Sequence, residues 1–129
     1  MVRQSIRLMD LAQDVLHDVK NINAVKAISL FGSFARGTQS SFSDMDLCVF
    51  TERSMPTEKA MIVNHGSQKV DISLFEKLPP LIQQRVITEG KPLFIRDDLH
   101  LHREIVNANT RYLDLQSFLM HQERRILEI

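Results

Sequence analysis

The stretch Ser29-Leu-Phe-Gly-Ser-Phe-Ala-Arg-Gly-Thr-Gln-Ser-Ser-Phe-Ser-Asp-Met-Asp-Leu-Cys-Val49 decides how the rest of the chain is read. Val25 to Phe31 is short, apolar and β-rich and runs straight into Gly32, the pattern of a buried strand ending in a turn. Ser33 to Arg36 can open a short helix that Gly37 ends. Thr38 to Ser43 is almost entirely small and polar, an exposed loop. Residues 45–50 then read as a second strand, with Asp44 and Asp46 at its start.

Side chains alternate along a strand, so Asp44 and Asp46 point to one face with Cα atoms roughly 6.5–7 Å apart. Met45 and Leu47 point the other way, into a core. Two carboxylates held this close repel each other unless a cation lies between them, and hard cations such as Mg²⁺ take oxygen ligands. The later run Lys69 to Phe75 reads as a strand with a single acidic residue, Asp71, amid apolar neighbours. If it pairs beside the second strand, it brings a third carboxylate to the same place, where it can also serve as general base. Gly32 lets backbone approach a ligand closely, a helix starting after it offers free N–H groups to an anion, and the Ser33 hydroxyl adds a donor. Phosphates at the turn and two carboxylate-bound metal ions beside them are the parts phosphoryl-type transfer needs. Taken singly, each part has a plain structural reading: a turn, a strand-end cap, a solvated edge. Their joint order and spacing favour a site.

Working outward, residues 4–20 carry Leu8, Leu11, Val15 and Val19 at three- and four-residue spacing, followed by Ile22, an amphipathic helix stopped at Asn21 and Asn23. Residues 51–67 admit a short helix capped by Thr57 and running to Gly66, or a hairpin turning at Asn64 to Ser67; the helix is preferred. Pro79 and Pro80 introduce a helix from about Leu81 to Thr88 that Gly90 ends. Pro92 to Ile95 is a short strand, and Asp97 or Asp98 caps a long final helix whose Leu101, Ile105, Tyr112, Leu115, Leu119 and Ile126 follow one face. Tyr112 and Phe118 there suit either a contact surface or core packing. The order predicts an α+β fold: a small mixed sheet with helices packed on one side and a long C-terminal helix.

At 129 residues with 43% hydrophobic content the chain suits one domain, residues 1–129, with one core. The formal net charge is zero, so the broad basic field that drives direct nucleic-acid binding is missing, whereas a metal ion can supply positive charge locally for a nucleotide. The single cysteine, Cys48, falls in an apolar strand and excludes an internal disulfide; it reads as a buried thiol in a reducing compartment. No run approaches the roughly 20 apolar residues of a membrane span. The start lacks a signal-peptide core, so the expected location is cytoplasmic. His100 and His102 would diverge on a helix. Arg96 followed by His102 loosely fits a ribonuclease Arg-x₄₋₆-His motif only by chance, because the strand-rich first half does not suit an all-helical fold.

The pattern Gly32-Ser33, ten intervening residues, Asp44-Met45-Asp46, then Val70-Asp71-Ile72, resembles the signature of the polymerase beta superfamily of nucleotidyltransferases. The whole-chain order resembles its smallest members, the minimal nucleotidyltransferases. Leu78-Pro79-Pro80-Leu81-Ile82, Ile87 to Phe94 and the tail around Arg111 to Leu115 are similar to the antitoxin branch. The resemblance implies a nucleotidyltransferase fold and transfer of AMP from ATP to a tyrosine of a partner toxin, a HEPN-class ribonuclease. Carried over, Asp44 and Asp46 would bind two Mg²⁺ ions, Asp71 would complete the metal site and help deprotonate the acceptor, and Gly32 and Ser33 would hold the triphosphate, with Arg36 within reach of it. The short stretch between Asp46 and Asp71 leaves nucleotide choice open. Two other activities fit the same residues: modification of a small molecule, and neutralisation of the toxin by binding alone.

Overall fold

The computed structural model describes residues 12–32, 37, 44–52, 56–67 and 69–128. Helix α1 covers residues 12–20, and Leu8 and Leu11 of the expected longer helix lie outside the described residues. Strand β1 (Val25–Phe31) and β2 (Met45–Thr51) follow, then α2 (Pro56–Asn64), β3 (Val70–Leu74), a 3₁₀ turn (Phe75–Lys77), α3 (Pro80–Glu89), β4 (Lys91–Ile95) and α4 (Asp98–Leu127). The four strands form one sheet in the order β3-β2-β1-β4. The β2–β3 pair is parallel and the other two pairs are antiparallel, so the sheet is mixed.

Both faces of this sheet are covered, a correction to the expectation of helices on one side. Met45, Leu47 and Val49 of β2 join Val15 and Val19 of α1 and Ile62 of α2 in one core. Cys48 and Phe50, of opposite parity, join Phe75, Val86 of α3 and Ala108 of α4 in a second. The reason is visible in β2, which is apolar on both faces beyond Asp46, as a doubly covered strand must be. An irregularity between Val25 and Ala27 puts Val25 and Ile28 into the first core and Ala27 into the second. Phe50 and Phe75 stack with ring centroids 4.3 Å apart, joining β2 to the turn that follows β3. Cys48 is fully buried, and burial pushes its thiol far up from its ordinary pKa, which makes it inert.

Residues 56–64 are helical, not a hairpin, although Thr57 lies inside the first turn rather than capping it. Pro56 already has the φ that the first helical position needs. Asp97, not Asp98, caps α4: its carboxylate accepts the His100 backbone N–H at 3.0 Å, which holds it below the usual carboxylate range. Arg96, which the sequence left without a role, donates to the backbone carbonyls of Lys20, Ile22 and Asn23 and so closes the end of α1 from across the chain. Buried Gln83 donates to the Phe75 carbonyl at 2.8 Å and accepts from Arg111 at 3.4 Å, tying α3 to the end of β3 and to α4. Gln83→Leu would leave that carbonyl with the Leu78 backbone N–H, at 3.2 Å, as its remaining donor, and a loss of about 0.5–1.5 kcal/mol is expected in urea unfolding. Unchanged stability would show that the Leu78 N–H alone satisfies the carbonyl.

Candidate active site

Three chain segments meet at one end of the sheet. In the parallel β2–β3 ladder Asp46 stands opposite Asp71, and in the antiparallel β1–β2 ladder it stands opposite Phe31, the residue before Gly32. Neighbouring strands run about 4.8 Å apart, and paired residues on adjacent strands point to the same face. Asp46 and Asp71 therefore share a face, with Val70 and Ile72 turned away into the first core. The Met45 N–H donates to the Lys69 carbonyl at 2.8 Å, which holds the starts of β2 and β3 level and with them the two carboxylates.

Gly32 has φ +77°, a conformation in which a side chain is strained, and the Cβ of any other residue would lie 2.4 Å from Oδ2 of Asp46. The turn and the carboxylate are thus in direct apposition, and only glycine fits. Burial is the main cause of a raised Asp46 pKa, and the charges of Asp71 and then Asp44 push it further up. Asp71 and Asp44 therefore each lie close enough to act on Asp46. Asp44 and Asp71 are exposed to solvent, while Asp46 is half-buried between them and Gly32. Ser33 and Arg36, the other residues expected at the phosphates, lie outside the described residues.

Among the described residues no three His, Cys, Asp or Glu side chains form a cage able to hold a metal ion by themselves. The arrangement nevertheless suits Mg²⁺. That ion retains several waters and is bound by one or two carboxylates together with substrate phosphates, not by a closed protein cage. A cation beside Asp46 would also relieve the crowding that raises its pKa. His100 and His102, set aside as ligands, lie in the first turns of α4.

The family model described as "Polymerase beta, Nucleotidyltransferase" matches residues 13–99, the span that carries Gly32, Asp44, Asp46 and Asp71. The chain belongs to that family. A Methanocaldococcus jannaschii protein with the provisional name protein adenylyltransferase MJ1547 is 30% identical over 96 residues, 74% of this chain and 75% of that protein. Among solved structures, one chain of a toxin–antitoxin crystallised with AMP-PNP superposes with a TM-score of 0.69 at 23% identity, covering 92% of this chain and 97% of its own. A chain from the complex of a tri-AMPylated Shewanella oneidensis HEPN toxin with its MNT antitoxin gives a TM-score of 0.63 at 19% identity, covering 96% and 98%. At these identities the structural likeness establishes the fold. The nucleotidyltransferase fold accounts for the mixed sheet and the long last helix. No helix among the described residues is long and apolar enough to cross a membrane.

The signal for the carboxylates and for Gly32 was present in the sequence. The unlooked-for contribution is steric: the bare Cα of Gly32 makes room for the Asp46 carboxylate, so this glycine serves the acidic cluster as well as any phosphate.

Proposed function

We propose that this nucleotidyltransferase is a Mg²⁺-dependent protein adenylyltransferase that moves AMP from ATP to a tyrosine of a HEPN ribonuclease toxin and thereby acts as its antitoxin. The observation that carries the chemistry is the register of β2 and β3, which sets Asp71 opposite Asp46 beside the Gly32 turn. Support for a protein acceptor comes from the Methanocaldococcus jannaschii relative, and support for the toxin from the complexes that share the fold.

Asp44 and Asp46 would hold Mg²⁺ on the triphosphate, with Asp71 completing the set. When bound, the ions would supply charge neutralisation for the departing pyrophosphate and make the acceptor hydroxyl more acidic. The Gly32 turn and Ser33 would orient the triphosphate, with Arg36 able to reach its outer oxygens. Asp46, held rigid between strands and against Gly32, fixes the position of the site, whereas solvent-exposed Asp71 can accept a proton. The tyrosine oxygen forms a bond to the α-phosphorus, the bond to the β-phosphate oxygen breaks, pyrophosphate leaves with the electron pair, and Asp71 takes the hydroxyl proton. Burial of one carboxylate and exposure of its neighbour divide positioning from proton transfer.

Intact-mass measurement of the HEPN toxin co-expressed with this chain tests the reading. The expected result is a toxin heavier by one or more AMP units, with its ribonuclease silent. A toxin that is inhibited yet unmodified would overturn it in favour of neutralisation by binding, and AMP found only on a small hydroxylated acceptor would move the activity to small-molecule modification.

A further inference from the structure

The 30-residue helix α4 spans about 45 Å, but the body of the protein covers only part of it. Leu101 and Ala108 are packed into the second core, and Tyr112 is half-buried, its hydroxyl accepting from Gln116. Spacings of three and four carry the same row onward to Leu115 and Leu119, and a spacing of seven to Ile126, and there the body ends: Leu119 is 54% and Ile126 70% exposed. A second row, Leu113, Met120 and Leu127, is also exposed and repeats every seven residues, continuing the line of exposed Leu99 and Val106. Leu119–Met120 and Ile126–Leu127 are consecutive pairs, so the two rows lie about 100° apart on the helix. The remaining arc carries Asp114, Ser117, His121 and Arg124 and is polar apart from exposed Phe118.

We infer that residues 113–127 of α4 dock into the groove between two adjacent helices of a helical partner protein. The first row continues an interface that the structure already contains, the packing of α4 on the body, so a partner helix placed against it extends α3's layer. The second row requires a second helix, as in a bundle where one helix packs against two neighbours. Another copy of this chain satisfies this poorly. Pairing with the α4 of one other copy brings a single helix to this face, which can cover one row and leaves the other bare. Naming that partner as the HEPN toxin rests on the reading above; the two-helix groove does not.

The test measures binding of the purified full chain to the HEPN toxin proposed above as its partner, without ATP, so that loss of transfer cannot imitate loss of docking. Leu119→Glu with Ile126→Glu, and separately Leu113→Glu with Met120→Glu, are each expected to weaken binding about 100-fold or more. Ser117→Glu with His121→Glu, on the polar arc, is expected to bind within about 2-fold of wild type. Because all six residues are exposed, the melting temperature of the free chain should move by no more than a degree or two. Wild-type affinity in either row variant, or no binding by the wild type, overturns the proposal. So does a wild-type homodimer in light scattering that either row variant converts to monomer. A failed mass shift together with intact row-dependent binding would sink the transferase reading alone.

Discussion

Asp46→Asn is expected to reduce nucleotide transfer by about 1000-fold or more while raising the melting temperature of the metal-free protein at pH 7. The loss follows from removing a charge the proposed metal site depends on, since a metal contributes several kcal/mol of transition-state stabilisation and about 4 kcal/mol corresponds to a thousandfold in rate. The gain in stability follows from the direction of the Asp46 pKa. Burial first, then Asp71 and Asp44, raise it above the ordinary 3.8, so the folded protein holds this proton more tightly than the unfolded chain does. Ionisation at neutral pH therefore opposes folding. The penalty is absent where both states are protonated, grows as pH rises from 3.8 through the folded value, and is complete above it. Asparagine keeps the shape without the charge, so its advantage should be present at pH 7 and vanish below pH 3.8. Mg²⁺ should stabilise the wild type and leave the variant unmoved. Thermal melts across pH, with Mg²⁺ or with chelator, check all of this; a variant that melts below wild type in chelator at pH 7 would mean that the carboxylate is structurally satisfied and not held in an unfavourable state.

Gly32→Ala is expected to reduce transfer by about 100-fold or more and also to destabilise the fold. Its φ of +77° costs an alanine about 1–2 kcal/mol. The added Cβ would come within 2.4 Å of Asp46 Oδ2, and because Asp46 is held by β-ladders on both sides, relief has to come from moving the carboxylate or the turn. A displacement of an ångström at a reacting centre is enough for a hundredfold loss. Gly37→Ala makes the useful comparison: that glycine also has positive φ, +73°, but meets nothing within 4 Å. It should share the conformational cost and keep most of the activity. Equal activity losses in the two variants would attribute the effect to backbone strain and remove the proposed dependence on Asp46.

Local signals were legible where a single residue type decides the local geometry. Gly32 ends a strand that is too apolar to be anything but buried, Pro80 starts a helix and Gly90 ends it, and Asp97 caps α4. Reading helices onto one side failed because the alternation that marks a half-exposed strand is absent from Leu47 to Phe50, and that absence is itself the mark of a strand covered twice. Arg96 and Gln83 were not legible, since each acts on backbone carbonyls of a distant segment and nothing near them in the chain announces it.

The spacing of Gly32, Asp44, Asp46 and Asp71 was enough to propose a set of chemical groups, because each depends on residue identity and strand periodicity alone. Whether those groups meet was a matter for the tertiary structure. β3 pairs parallel to β2 through a helical crossover, and its register, fixed by apolar residues that must enter the first core, puts Asp71 opposite Asp46 and not one residue to either side. A slip of one residue would have turned Asp71 into that core and left Asp44 and Asp46 without it. The same holds for α4: its apolar rows are written in the chain, but only packing shows where the body stops covering them.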